Sequence, residues 1–218
     1  MAKIQAQPIS NPRLSFKGWF ERSFRWLVHL AALAPFAWTA WLTATGGLTI
    51  NPIQDLTLRT GKAALVLLLA SLACTPVNLV FGFKPALKAR RTLGLYAFLY
   101  AALHFLIFVG LDYTFNLSLI WSGITEKRFV LAGLAAFILL SLLALTSFTW
   151  WQKRMGKRWK QLHRLVYLAG ILVIVHYIWL VKADIRPPLL FGALLLVLLA
   201  LRLPAVRKRV ANWRSSLR

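Results

Sequence analysis

The chain is 218 residues long, 59% hydrophobic and 15% charged, with 27 Lys and Arg against five Asp and Glu. So apolar a composition excludes an ordinary soluble domain, and the net charge of +22 does not indicate nucleic-acid binding, because the basic residues are confined to short stretches between apolar runs. The single cysteine, Cys74, sits within one such run, which excludes an internal disulfide, a cysteine-based zinc site, a cysteine-ligated iron–sulfur cluster and c-type haem attachment.

The first 25 residues are basic and polar and lack the apolar stretch and small-residue cleavage site of a secretory leader. Residues 1–23 are expected to form a basic segment ahead of the membrane. Six apolar stretches follow, at 24–44, 63–83, 93–111, 129–151, 163–181 and 188–203, each near the length a helix needs to cross hydrocarbon. Pro35 and Pro76 fall inside the first two and are expected to kink them. The sixth is short, begins after Pro187–Pro188 and ends near Arg202, whose long side chain is able to snorkel outward. Residues 204–218 read as a basic tail. With no internal repeat and no soluble domain in view, 24–203 is one all-α transmembrane domain, a six-helix bundle.

Orientation follows from charge. The N-terminal stretch, the second and fourth loops and the tail hold 21 of the 27 basic residues, from Lys3 to Arg218; Arg59, Lys62, Lys127, Arg128, Lys182 and Arg186 lie on the other side. Alternation of this kind places both termini in the cytoplasm. Nine of the ten tryptophans cluster at segment ends, where amphipathic rings anchor in the interface, and Trp38 lies deeper.

All four histidines, His29, His104, His163 and His176, lie in or at the edge of apolar stretches, and the carboxylates all fall at stretch ends or in loops. Intramembrane ionisable residues are functional-site candidates, and neutral imidazoles on facing membrane helices without acid partners point to a metal, above all to haem. At 1.5 Å per residue, His104 lies about 18 Å and His176 about 19 Å from the cytoplasmic ends of their helices, so the two can clamp one iron axially. Gly94, Ala97, Ala101 and His104 share one helix stripe, which serves either a flat macrocycle or helix packing. His163 and His29 lie nearer the cytoplasmic boundary, where a second haem, a quinone or plain interfacial placement are open. Arg91 and Arg164, beside them, are candidates for haem propionates or a phosphate.

These residues sit in a pattern that resembles the MsrQ (YedZ) family, over nearly the whole chain. The resemblance is carried by His29-Leu30-Ala31 with Leu33-Ala34-Pro35-Phe36, by Thr60-Gly61-Lys62-Ala63-Ala64-Leu65, and by Arg90-Arg91-Thr92-Leu93-Gly94-Leu95 leading to His104. Most specific is the run from Gly156 through Gln161-Leu162-His163-Arg164-Leu165 to His176-Tyr177-Ile178-Trp179. The resemblance implies a ferric-reductase-like b-type cytochrome of the bacterial inner membrane, with His104, His163 and His176 as haem ligands, one or two haems b, and FMN. It also implies electron transfer from the quinone pool or a cytoplasmic flavin reductase to a periplasmic molybdopterin-containing methionine sulfoxide reductase, in repair of oxidised envelope proteins.

The chain shows no nucleotide-binding fingerprint; it reads as an electron-transfer subunit of an oxidoreductase complex rather than a complete enzyme. Three rivals stand beside that reading: a stand-alone ferric or metal reductase, a small transporter with proton-relaying histidines, and a structural anchor. The absence of intramembrane carboxylates and of an inverted repeat weighs against transport.

Overall fold

The structure is a computed structural model that describes residues 12–181 and 183–216. The first eleven residues of the N-terminal segment and the charge-pattern residues Lys3, Lys182 and Arg218 lie outside them. Among the described residues the chain is helical with no strand: α1 (Pro12–Ala44), α2 (Pro52–Phe81), α3 (Lys84–Ile107) running into a π-helical turn (Phe108–Asp112), α4 (Leu117–Glu126), α5 (Arg128–Leu145), α6 (Thr149–Met155), α7 (Lys157–Leu162), α8 (Leu165–Leu180), α9 (Arg186–Ala200) and α10 (Pro204–Ser216). Helix is the form an apolar chain must take in hydrocarbon, because only there does each segment satisfy its own backbone.

Five stretches are long and apolar enough to cross a membrane; a sixth is reached only if α9 and α10, bent by 75° between them, count as one span. The break has a simple cause. α9 has 15 residues, about 22 Å of rise, and Pro204 opens a new helix in a different direction. α1, conversely, begins at Pro12, well before its apolar stretch: hydropathy marks where a helix meets lipid rather than where it starts.

α2 is the axis of the bundle, with ten buried residues. One face puts Leu65, Leu69 and Leu72 against Ile174 of α8 and Leu195 and Leu198 of α9. The other packs Ala63, Leu67 and Leu68 with Ala32, Ala97, Tyr100, Leu140 and Ala169 of four surrounding helices. Ala32, Ala97 and Ala169 are fully buried, and small side chains at such contacts let backbones approach closely. α2 ends at Gly82, whose φ of 70° favours glycine. Only Gly82 and Phe83 separate α2 from α3, so the two run antiparallel.

Both helices run on through their prolines, and in each a neighbour's side chain meets the backbone beside the proline. In α1 the Tyr100 hydroxyl donates to the Ala32 carbonyl at 2.8 Å and accepts from the Phe36 N–H at 2.9 Å, bridging the two backbone groups that flank Pro35. In α2, Pro76 has no N–H to offer the Leu72 carbonyl, and Arg202 donates to that carbonyl at 2.6 Å while its other terminal nitrogen donates to the Tyr167 hydroxyl at 2.8 Å. Arg202 therefore turns inward to a backbone acceptor; it does not snorkel outward. Tyr100→Phe leaves a donor and an acceptor in α1 unsatisfied, at about 1–3 kcal/mol each, and is expected to lower the midpoint of SDS unfolding in mixed micelles without changing the helix content before the transition.

Candidate cofactor site between α2, α3, α5 and α8

His104 lies in the last turn of α3 and His176 about one turn before the end of α8. The structure brings them together: their ring centres are 6.2 Å apart and their planes stand at 89°. Nδ1 of His104 is 2.9 Å from the Thr57 carbonyl at the start of α2, and Nδ1 of His176 is 2.6 Å from the Phe129 carbonyl at the start of α5. A carbonyl only accepts, so each Nδ1 carries the ring proton and each Nε2 keeps its lone pair. Neither Nε2 has a hydrogen-bond partner among the described residues.

Glycine makes this approach possible. Within a helix the Thr57 and Phe129 carbonyls face the N–H groups of Gly61 and Gly133, four residues on. A Cβ on Gly61 would stand 3.1 Å from the His104 ring, and one on Gly133 only 2.7 Å from Nδ1 of His176. The two arrangements repeat in spacing: each carbonyl precedes its histidine by 47 residues.

Both rings line a cavity of about 430 Å³, within the range of small-molecule and cofactor sites. Ala64, Ala101 and Ala136 keep its walls low, and Phe105 and Phe137 of the lining stack at 4.7 Å. Of the small-residue stripe on α3, Ala101 faces this space, whereas Ala97 is packed in the core and Gly94 abuts Ser71 of α2. A smaller cavity of about 230 Å³ between α1, α2 and α3 has no histidine in its wall.

The remaining candidates lie elsewhere. His163 rests against Trp159, ring centres 4.0 Å apart, with Nε2 at 3.3 Å from the Thr146 hydroxyl. Trp159 also donates to the Thr146 carbonyl at 2.8 Å, so this tryptophan braces the turn before α8 rather than simply anchoring in lipid. Nδ1 of His29 meets the Tyr96 hydroxyl at 2.9 Å. Arg91 and Arg164 are exposed and neither lines the cavity.

The fit of a haem can be judged from the two rings. Axial imidazoles bonded to one iron at about 2 Å put their ring centres roughly 6.3 Å apart, and the observed 6.2 Å agrees. Nδ1–H donated to a backbone carbonyl is the usual support for such a ligand. The donor set, the spacing and the apolar walls therefore suit a haem.

Residues 60–174 match the family described as the ferric reductase like transmembrane component. A relative in Rhodospirillum rubrum, named protein-methionine-sulfoxide reductase heme-binding subunit MsrQ, is 44% identical over 87% of this chain and 92% of its own length. Relatives of the same name in Caulobacter vibrioides and Bordetella pertussis are 45% and 41% identical, over 81% and 84% of this chain and 84% and 90% of theirs. The chain belongs to the MsrQ family.

For an MsrQ protein, several parts of this site are invisible to sequence reasoning based on histidines. The carbonyls of Thr57 and Phe129 are main chain and leave no residue signature. Gly61 and Gly133 do leave one, since each precedes its histidine by the same interval. Lys62 and Lys127, which also line the cavity, read from sequence only as loop charge. Gly133→Ala is expected to reduce the haem retained per purified chain several-fold and Gly61→Ala to reduce it less, with circular dichroism of both variants unchanged; retention undiminished from the native chain in both would show that the glycines do not seat the rings.

Proposed function

We propose that this chain is a haem b-binding electron-transfer subunit of a methionine sulfoxide reductase system, set in the bacterial inner membrane with both termini in the cytoplasm. Two imidazoles with unengaged Nε2 atoms, lining one cavity at the spacing that a single iron requires, carry this reading. The relatives' printed name supports the haem and the reductase system. When bound, haem b supplies a one-electron carrier within the membrane. His104 and His176 would hold it, with the Thr57 and Phe129 carbonyls fixing their tautomer and orientation and the surrounding aromatic and aliphatic side chains excluding water.

Electrons come from the quinone pool or a cytoplasmic flavin reductase and pass to a periplasmic molybdopterin-containing methionine sulfoxide reductase. The steep excess of basic residues on the face bearing α7, α10 and the start of α1 supports the cytoplasmic assignment of that face. It also leaves the cavity nearer the opposite, periplasmic face, since α2 and α5 begin, and α3 and α8 end, beside it. A second haem would draw on His163, with Arg91 and Arg164 as candidate partners of its propionates, and FMN is expected from the family resemblance alone. A stand-alone metal reductase is the second reading, favoured by the ferric-reductase match.

His104→Ala and His176→Ala are each expected to remove the low-spin b-type spectrum and most pyridine-haemochrome signal while leaving membrane insertion intact. Normal haem in either variant overturns the axial pair. Reoxidation of the dithionite-reduced protein by the periplasmic reductase, and not by ferric chelates, separates the subunit from the metal reductase. A reporter fused after Arg218 is expected to be active only in the cytoplasm; periplasmic activity reverses the orientation.

A further inference from the structure

The cavity is polar at one end only. Towards Leu68 of α2, Leu140 of α5 and Val173 of α8 its lining is aliphatic and aromatic, whereas Asp112, Tyr113 and Lys127 gather past the end of α3 and where α5 begins, with Lys62 in the wall five residues beyond Thr57 on α2. Haem has the same polarity, a hydrocarbon edge opposite an edge with two carboxylates.

Lys127 is held in place before any ligand arrives. Its ammonium donates to the Tyr113 hydroxyl at 2.9 Å and lies 5.6 Å from that ring's centre. The Tyr113 hydroxyl keeps its own proton for a second acceptor. Tyr113 is fixed in turn: its ring centre is 4.6 Å from that of Phe108, and a Cβ on Gly123 would stand 2.7 Å from its hydroxyl oxygen. This hydrogen bond raises the Lys127 pKa above the ordinary lysine value, so the cation persists at neutral pH. Lys62 follows Gly61, the residue against which His104 packs, and is exposed with no ion-pair partner within 4.0 Å among the described residues. Asp112 lies at the same end and Glu126 adjoins Lys127, so it is the placement of the two ammoniums, not an excess of positive charge, that distinguishes this end.

We propose that Lys62 and Lys127, with the Tyr113 hydroxyl, form a two-cation clamp that receives the haem propionates at this mouth and so fixes which edge of the macrocycle points out of the bundle. The clamp rests on the assignment of the cavity to haem. It replaces Arg91 and Arg164 as propionate partners for the haem on His104 and His176, because neither arginine lines that cavity. Ion pairs this exposed contribute little to binding, so the clamp acts on haem orientation and on redox equilibrium more than on affinity. A cation that neutralises a propionate favours the ferrous state; its removal leaves a negative charge that favours the ferric state.

The test uses the full chain in detergent, loaded with protohaem or with protohaem dimethyl ester, which has no propionate charge. With protohaem, the double variant Lys62→Gln/Lys127→Gln is expected to retain its low-spin spectrum and haem stoichiometry. Its ferrous-to-ferric ratio at a fixed potential is expected to fall about tenfold, about 59 mV for one electron. The double variant Lys62→Arg/Lys127→Arg keeps both charges and is expected to titrate close to the native chain. With the dimethyl ester, native and glutamine variants are expected to titrate together. A native chain with bis-imidazole haem whose potential is unmoved by the glutamines, or moved equally with either haem, overturns the clamp alone. A colourless native chain overturns the cavity's assignment to haem and the clamp with it.

Discussion

A backbone carbonyl or N–H in hydrocarbon has no water to turn to, and the parts of this bundle that depart from plain helix are arranged around that fact. The Tyr100 hydroxyl sits between Ala32 and Phe36, and the Arg202 guanidinium sits on the carbonyl that Pro76 leaves free. The imidazoles of His104 and His176 use the same chemistry from the other side. They too need a partner for a polar group in an apolar setting, and they find it in main-chain carbonyls of the second turn of α2 and the first turn of α5.

That choice of acceptor matters for what the rings can do. A carboxylate in the same place would draw the ring toward imidazolate and would itself need a counter-charge. A carbonyl fixes the tautomer, leaves the ring neutral and adds no charge to the interior. The scarcity of acids in the apolar stretches is thus no deficiency of the site. The cost of seating a ring so close to a helix is met by omitting two side chains, at Gly61 and Gly133.

Much of this was legible in the sequence, for identifiable reasons. The all-helical bundle follows from apolar runs of membrane-spanning length, and the equal depth of His104 and His176 follows from the constant rise of a helix. Boundaries were less legible: the start of α1 at Pro12 and the 75° break after α9 depend on helix continuity and on Pro204, which hydropathy does not register. Arg202 reads as an outward-reaching cation until the vacancy left by Pro76 is seen across the helix interface. Trp159 looks like the eight other tryptophans at segment ends until its indole is found on Thr146. Lys62 and Lys127 are two of many loop charges by composition, and only the shape of the cavity sets them apart.

The 47-residue interval shared by the two carbonyl–histidine bonds belongs to two antiparallel hairpins, α2 with α3 and α5 with α8, that enter the bundle from the same side. One hairpin with a carbonyl, a glycine and a histidine would build the same pair of rings by meeting a copy of itself about a two-fold axis along the helices. Such near-symmetry makes the two walls of the slot chemically alike around the two imidazoles. A macrocycle whose own two faces differ then gains no preference for one way up from its ligands. Any such preference must come from the side chains at its edge, where the two hairpins cease to resemble each other.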